Sequence, residues 1–283
     1  MESAMADRSA YESAPFPGKK PNKIRELLRA GKPTVGTRIF STWPLITEVA
    51  GNTRKFDYVE FLAEYAPVDQ YDMENIARAA ELHDMGTIIK LDFANRVHVA
   101  QKAVASGFQA VLFADHRTAA DVAATIRSLR ADCPQDGGGF GFTPRRMIGY
   151  SAGFTQMQFA DMLREVVCCF MIEKREAVDS IEEICAVKGL DMIQFGPSDY
   201  SMSCGVNAGD NAENIKKAEE LCIRTAIRHG VRPRAEINSP EAARRYIDLG
   251  VIDFNIGTEL SNLTAAWISH GGGLRDVLAE YRL

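Results

Sequence analysis

The sequence has little of several features that define common protein classes. No apolar run approaches the roughly 18 residues that a membrane-spanning helix needs, so we expect no membrane partner. The net charge of the 283-residue chain is -5, which gives no reason to expect nucleic acid as a partner. No Gly-rich motif of a nucleotide-binding loop follows a predicted strand, so the sequence does not indicate a nucleotide cofactor.

The N-terminus lacks the pattern of a secretory signal, and the cysteines lack the spacing of a metal site or a disulfide framework. Residues 1–22 have no apolar core of a secretory signal, and their small, polar and proline-containing composition predicts a disordered arm. The six cysteines include no CxxC pair, which argues against a zinc ribbon or a disulfide framework. We therefore expect reduced, mostly buried thiols in a cytoplasmic protein.

What the sequence does contain is a regular alternation of apolar strands and helix-period segments, most of them closed by glycine. Eight such strands over residues 23–283 predict a single (β/α)8 TIM barrel, with a doubly wound open sheet as the alternative. We expect the final helices to break at Gly271–Gly273. The predicted strands are 34–40, 56–64, 87–93, 110–114, 166–172, 192–195, 231–237 and 251–256.

The pattern lapses in a Gly-rich stretch over residues 137–153. A long loop in a compact domain is usually functional or disordered, so we expect this one to cover the barrel mouth or to reach a neighbouring subunit. It carries Arg145 and Arg146, which would meet a second carboxylate of a substrate or remain solvated.

Two neighbouring predicted strands each end in a carboxylate. The fifth strand stops at Glu173, and the sixth stops at the run from Gly196 to Asp199. The carboxyl ends of barrel strands meet at the face that carries chemistry, and two carboxylates there suit a hard divalent cation. The alternative is that each acid only caps a helix or pairs with a lysine.

Other polar residues stand at predicted strand ends and are further candidates. Arg38 or Glu236 could belong to a charge pair inside the barrel, where buried charges persist only when they are paired. His116 suits acid/base chemistry near neutral pH, although a helix-capping or packing role is equally open. The remaining strand-end candidates are Ser41, Glu64, Tyr65, Lys90, Asp92, Asp115, Lys174, Ser198, Asn238, Asn255 and Glu259.

The segment MIEKREAVDSIEEICAVKGLDMIQFGPSDYSMSCG (171–205) resembles the signature of the HpcH/HpaI aldolase family of metal-dependent pyruvate aldolases. Weaker similarity covers GTRIFSTWPLITEVAG, FDYVEFLAEYAPVD and residues 86–124, in the same order as in the family. The resemblance implies a barrel in which Glu173 and Asp199 hold Mg²⁺ or Mn²⁺, with Co²⁺ or Zn²⁺ as further options.

The same resemblance implies an activity and an assembly. Family members form the enolate of pyruvate or a similar 2-oxo acid on the metal, and they add it to an aldehyde or cleave a 4-hydroxy-2-oxo acid. Members usually form hexamers that exchange C-terminal helices, so we expect a homo-oligomer (hexamer or trimer) built through the segment after Gly257.

This sequence departs from the family at its proton relay. The strand-two Asp-x-Glu-His motif falls on Leu62, Glu64 and Tyr65, and a relay aspartate falls on Ala105. The substrate-binding arginine falls on Lys90, which keeps the charge and loses the bidentate fork. We therefore expect Tyr65 or His116 to move the proton, Glu64 to orient a water, and Lys90 to bind a substrate oxygen.

Alternatives remain at the substrate side of the site. Backbone groups at Gly196, Pro197 and Ser198 would hold the substrate carboxylate, and Lys174 would face the ligand or pair with Glu176. A Schiff-base aldolase through Lys90 or Lys174 is a minor alternative. The altered relay also leaves open a decarboxylase or another enolate-forming lyase, and a catalytically silent barrel that binds metal and oxo acid.

Overall fold

Eight parallel strands close into a barrel in sequence order, from β1 to β8, with β8 pairing back onto β1. The computed structural model describes residues 21–150 and 153–282. The closed order excludes the open doubly wound sheet and confirms the predicted (β/α)8 barrel. The strands are β1 (Thr34–Ile39), β2 (Tyr58–Phe61), β3 (Gly86–Leu91), β4 (Ala110–Phe113), β5 (Val167–Ile172), β6 (Met192–Phe195), β7 (Arg232–Ile237) and β8 (Asp253–Thr258).

Helices follow the strands and pack around the barrel. Capping residues set several of their starts, as where the Thr118 side chain accepts a hydrogen bond from the Asp121 N–H. The helices are α1 (Lys23–Arg29), α2 (Pro44–Asn52), α3 (Gln70–Leu82), α4 (Arg96–Ser106), α5 (Ala119–Ser128), α6 (Gln156–Glu165), α7 (Arg175–Asp179), α8 (Ile181–Cys185), α9 (Pro197–Ser203), α10 (Ala212–Arg228), α11 (Ala243–Asp248) and α12 (Glu259–Glu280).

The interior of the barrel contains a buried ion pair. Arg234 of β7 and Glu60 of β2 are 0% and 1% exposed at their side chains, and Nη2 lies 2.5 Å from Oε2. Arg234 Nε also donates to Gln194 Oε1 at 2.8 Å. Tyr58 fills the space beside Gly36, where an added Cβ would lie only 2.1 Å from the ring. This packed layer of side chains lies inside the barrel, directly below the C-terminal ends of the strands.

Most strand boundaries differ from the sequence prediction by one to three residues, and β2 and two helical segments differ most. Strand β2 ends at Phe61 because the chain turns, with Tyr65 N–H and Ala66 N–H both donating to Leu62 O. The helix-period segment that follows β5 forms two short helices, α7 and α8, which are divided at Ser180. Helix α12 runs through Gly271–Gly273 without a break, since glycine lowers helix stability by only about 1 kcal/mol per residue and does not forbid the helix.

The described part of the Gly-rich stretch (137–150 and 153) carries two arginines that lie away from the barrel mouth, so the prediction that it covers the mouth is wrong. Arg145 Nη2 lies 2.5 Å from Glu74 Oε1, and Arg146 Nη2 lies 2.5 Å from Glu81 Oε2. Arg146 also donates to the carbonyl of Ser106, the last residue of α4, which places it near the N-terminal end of the barrel. Both arginines therefore form ion pairs with glutamates of α3 and do not face the strand ends.

The ends of the chain and the cysteines complete the description. Residues 1–20 of the predicted arm lie outside the described residues, whereas Asn22 caps α1 and donates to the Gln109 carbonyl at 2.7 Å. All six cysteines are free thiols, and four of them are buried. Among the described residues, no helix is both long and apolar enough to cross a membrane.

Candidate active site at the strand ends

A cavity of about 410 Å³ opens at the C-terminal ends of the strands. The structure brings half of the predicted strand-end residues to its wall. The strand-end candidates that lie outside the wall are Ser41, Glu64, Asp92, Asp115, His116, Lys174, Asn255 and Glu259. The predicted residues that line the cavity are Arg38, Tyr65, Lys90, Glu173, Gly196, Pro197, Ser198, Asp199, Glu236 and Asn238.

Glu173 is a buried carboxylate at the end of β5. It is 2% exposed, and its Oε1 accepts a hydrogen bond from the Asp115 N–H at 2.8 Å. Burial raises the pKa of the Glu173 carboxyl to about 7, and the nearby Asp199 and Asp115 carboxylates add to the rise. A carboxylate that is this poorly solvated is stabilised by a cation placed beside it.

The backbone around Glu173 is shaped to hold it. Asp115 has a φ of 64°, a left-handed conformation that is uncommon outside glycine and that aims its N–H at the carboxylate. On the other side, a Cβ on Gly196 would lie 2.8 Å from both Cβ and Oε2 of Glu173. Only glycine therefore allows β6 to pass this close to the carboxylate.

Asp199 lies in the first turn of α9, directly after β6, and its side chain is 39% exposed. Together with Glu173 it forms an acidic pair at one wall of the cavity. No group of three or more His, Cys, Asp or Glu side chains suited to a metal occurs among residues 21–150 and 153–282. Two carboxylates with room for water fit Mg²⁺ or Mn²⁺, whereas Zn²⁺ usually takes three or four protein ligands.

Lys90 of β3 joins two residues that follow β2. Its Nζ lies 2.6 Å from Glu64 Oε2 and donates to the Tyr65 hydroxyl at 2.9 Å. Burial alone would lower the pKa of Lys90, but the Glu64 carboxylate and the Tyr65 hydroxyl raise it, so the ammonium stays charged. Burial also raises the pKa of Tyr65, which keeps its phenol protonated near neutral pH. A charged lysine is a poor Schiff-base nucleophile.

Glu64 does not reach the cavity, which differs from its predicted role of orienting a water. Its position beside Lys90 instead fixes the ammonium, and Tyr65 is the residue of the pair that faces the cavity. The chain turn that ends β2 early produces this arrangement, because it points Glu64 at the neighbouring strand.

His116 is buried outside the cavity wall, and the geometry does not support the prediction that it moves a proton. It is 1% exposed, and its Nδ1 and Nε2 lie 2.8 Å from Ala114 O and 2.7 Å from Thr125 Oγ1. The rings of Phe93 and Phe170 pack edge-on against it. Burial lowers the pKa of His116 to about 4, so the imidazole is a neutral packing residue between β4 and α5.

Lys174 also lies outside the cavity wall. Its Nζ lies 2.5 Å from Asp115 Oδ1 and 4.0 Å from Asp199 Oδ1. It therefore braces the two aspartates around Glu173 and does not face a ligand. The alternative pairing with Glu176 is wrong as well, because Arg117 lies 2.7 Å from that glutamate.

The backbone after β6 offers fewer donors than predicted. Gly196 N–H donates to the Ile172 carbonyl at 3.1 Å, and Pro197 has no N–H. Of the three predicted substrate-binding positions, only Ser198 keeps a backbone donor at the start of α9.

Sequence reasoning missed two features of the site. The Asp115 N–H is one, since a left-handed backbone at an aspartate leaves no pattern beyond the residue type. The other is the ion pair between Arg38 Nη1 and Glu236 Oε1 at the cavity wall. Both residues were strand-end candidates, but the sequence analysis considered a charge pair only in the interior of the barrel.

Fold and site together define a (β/α)8-barrel protein whose strand ends present an acidic pair, a buried lysine and a tyrosine to one cavity. The family model for HpcH/HpaI aldolase/citrate lyase matches residues 52–248, and the chain belongs to that family.

Known relatives agree with this assignment. The chain is 27% identical over 229 residues to the hydroxypyruvate/pyruvate aldolase of Cupriavidus necator, covering 81% of this chain and 83% of that protein. It is 26% identical to the 5-keto-4-deoxy-D-glucarate aldolase of Klebsiella pneumoniae, covering 87% and 94%. The crystal structure of a family protein from Burkholderia cenocepacia superposes with a TM-score of 0.78 at 21% identity, covering 93% and 100%.

Proposed function

We propose that this protein is a divalent-metal-dependent carbon–carbon lyase that forms or cleaves 4-hydroxy-2-oxo acids through the enolate of pyruvate or a similar 2-oxo acid. Membership of an aldolase/lyase family supports the reaction class. The observation that carries the proposal is Glu173, a buried carboxylate at the cavity beside a second one, Asp199. Such a pair is unfavourable alone and favourable around a cation.

Glu173 and Asp199 would hold the cation, with Mg²⁺ or Mn²⁺ the best fit to an all-carboxylate set. When bound, the cation supplies positive charge that stabilises an enolate oxygen. Lys90 supports the same step, because this charged residue lines the cavity and would bind the carboxylate or keto oxygen of the 2-oxo acid. Glu64 holds that ammonium in place at 2.6 Å.

Tyr65 is the group we assign to proton transfer. Tyr65 lines the cavity, and its hydroxyl accepts a hydrogen bond from Lys90 and keeps its own proton at neutral pH. In the addition direction, this O–H donates its proton to the alkoxide formed from the aldehyde. In cleavage the same oxygen, as a phenolate that the positive charge of Lys90 stabilises, takes the proton of the C4 hydroxyl and becomes the phenol again.

The C-terminal helix supports a homo-oligomer. Helix α12 is exposed along nearly all of its length and carries several large apolar side chains, and its N-terminal end is fixed by Glu259, which accepts hydrogen bonds from Phe40 N–H and Ser41 N–H. Exposed apolar side chains in this number are typical of a protein interface, and a second copy of the chain is the partner we assign. Its large exposed apolar residues include Leu260, Trp267, Ile268 and Leu274.

Exchange of the methyl protons of pyruvate in D₂O, followed by NMR, tests the proposal. We expect exchange that depends on added Mg²⁺ or Mn²⁺ and that stops when the metal is chelated. Aldol addition should then follow when an aldehyde is supplied. Binding of pyruvate without exchange would contradict the enolate chemistry and would favour a silent binding barrel.

A further inference from the structure

The cavity has a second polar wall that the enolate chemistry does not use. Arg38 of β1 and Glu236 of β7 both line it, with side chains that are 15% and 38% exposed. In a closed ring of eight strands, β1 lies opposite β5, and β7 lies opposite β3. The pair therefore faces Glu173 and Lys90 from across the cavity, where the part of a substrate farthest from the 2-oxo acid would lie.

The charge of this wall is already balanced. Nη1 of Arg38 and Oε1 of Glu236 form an ion pair, so the wall has one cation and one anion and no net charge. A carboxylate placed here would gain the arginine but would be repelled by the adjacent glutamate. A simple apolar group would strip water from both charged groups without replacing their hydrogen bonds.

The wall still has hydrogen-bonding capacity. Glu236 Oε2 accepts only a long bond of 3.4 Å from Gln194 Nε2 among the described residues. Arg38 Nε likewise makes a long bond of 3.4 Å to the Gly257 carbonyl. A hydroxyl group can donate to Glu236 and accept from Arg38 at once, so it satisfies both without separating the pair.

We infer that Arg38 and Glu236 form the acceptor subsite and select uncharged aldehydes that carry a hydroxyl group next to the carbonyl. This inference rests on the proposed aldol chemistry and specifies its second substrate. The substrate class is then the hydroxyaldehydes, and the product is a 2-oxo acid hydroxylated at both C4 and C5.

Three two-carbon aldehydes of similar size test the inference with pyruvate as donor: glycolaldehyde, acetaldehyde and glyoxylate. They differ only in presenting a hydroxymethyl, a methyl or a carboxylate group. Carbonyl reactivity differs among them, but it cancels when ratios of kcat/KM are compared between the wild type and a variant. Glu236→Gln keeps the shape of the side chain and removes its charge.

In Glu236→Gln we expect the glycolaldehyde-to-acetaldehyde ratio to fall about tenfold, the effect of losing one hydrogen bond to a charged group. The glyoxylate-to-acetaldehyde ratio should rise, because Arg38 is released to bind a carboxylate. Arg38→Gln should lower the first ratio without raising the second. Glu213→Gln, at a glutamate that is 74% exposed on α10, should keep both ratios at wild-type values.

Unchanged ratios in Glu236→Gln and Arg38→Gln would overturn the inference. Wild-type protein that exchanges pyruvate protons but adds to none of the three aldehydes would overturn the acceptor subsite alone. Absence of exchange in the wild type would overturn the proposed function and this inference with it.

Discussion

Replacing Gly196 by alanine is expected to disturb the acidic pair without altering the fold. The glycine has φ -109° and ψ 90°, a backbone conformation that alanine adopts freely, so any effect is steric. The new Cβ would lie 2.8 Å from Glu173 Cβ and Oε2 and 3.0 Å from Met171 Cε. Ordinary contact begins near 3.4 Å, so the carboxylate must move by several tenths of an ångström.

The magnitude follows from how tightly Glu173 is packed. A misplacement of about 1 Å at a reacting centre costs about 100-fold in rate, so we expect a loss of about 10- to 100-fold in metal-dependent pyruvate exchange. Overpacking should also lower the free energy of unfolding by about 1–3 kcal/mol, measured by urea denaturation. Gly209→Ala is the matched control, because nothing lies within 4 Å of its added Cβ.

The steric reasoning would be refuted by a folded Gly196→Ala protein with wild-type exchange and wild-type affinity for Mn²⁺. In that case the acidic pair would tolerate displacement, and its fixed geometry could not be the basis of the activity.

Three further predictions concern the proton donor, the buried histidine and the assembly. Tyr65→Phe should lower kcat for aldol addition by about 100-fold with little change in the KM for pyruvate. Full turnover in this variant would exclude the Tyr65 phenol as the proton donor. The pKa of His116 is about 4 in the folded protein and 6.5 in the unfolded chain, so the unfolded chain binds the proton at a higher pH. Wild-type stability should therefore fall by about 1.4 kcal/mol per pH unit between those values as pH falls, and His116→Gln should remove that part of the slope in urea titrations; an unchanged slope would contradict the burial argument. Trp267→Glu should reduce the mass in solution measured by light scattering while the fold is kept, and an unchanged mass would exclude α12 as the interface.

The barrel and the acidic pair were within reach of the sequence. Glycine closures mark the helix ends, and the apolar runs that stop at Glu173 and at Gly196 place both carboxylates at the same end of the sheet. Lys90 and Tyr65 were assigned to the cavity by the same logic, and both line it. These features depend on local patterns and on the fixed direction of parallel strands, which a sequence records directly.

The errors have a common physical origin in tertiary contacts. His116 packs against Phe93 and Phe170, and Lys174 pairs with Asp115, so contacts with other elements hold both side chains outside the cavity wall. Arg145 and Arg146 pair with glutamates of α3 that are far away in sequence. Helix α12 continues through three glycines because the weak local penalty is spread over a 22-residue helix. Apart from the continuity of α12, these outcomes depend on contacts between residues that are distant in the chain.

Binding of Mn²⁺, measured from the electron paramagnetic resonance signal of the free ion, tests the central claim most directly. The site predicts one Mn²⁺ per chain. Asp199→Asn should weaken binding by more than about tenfold, since even partners outside the coordination shell contribute that much. Asp210→Asn, at an exposed aspartate beside Asn207, is the control and should bind like the wild type. Equal affinity in wild type and Asp199→Asn would contradict the assignment of Glu173 and Asp199 as the metal site.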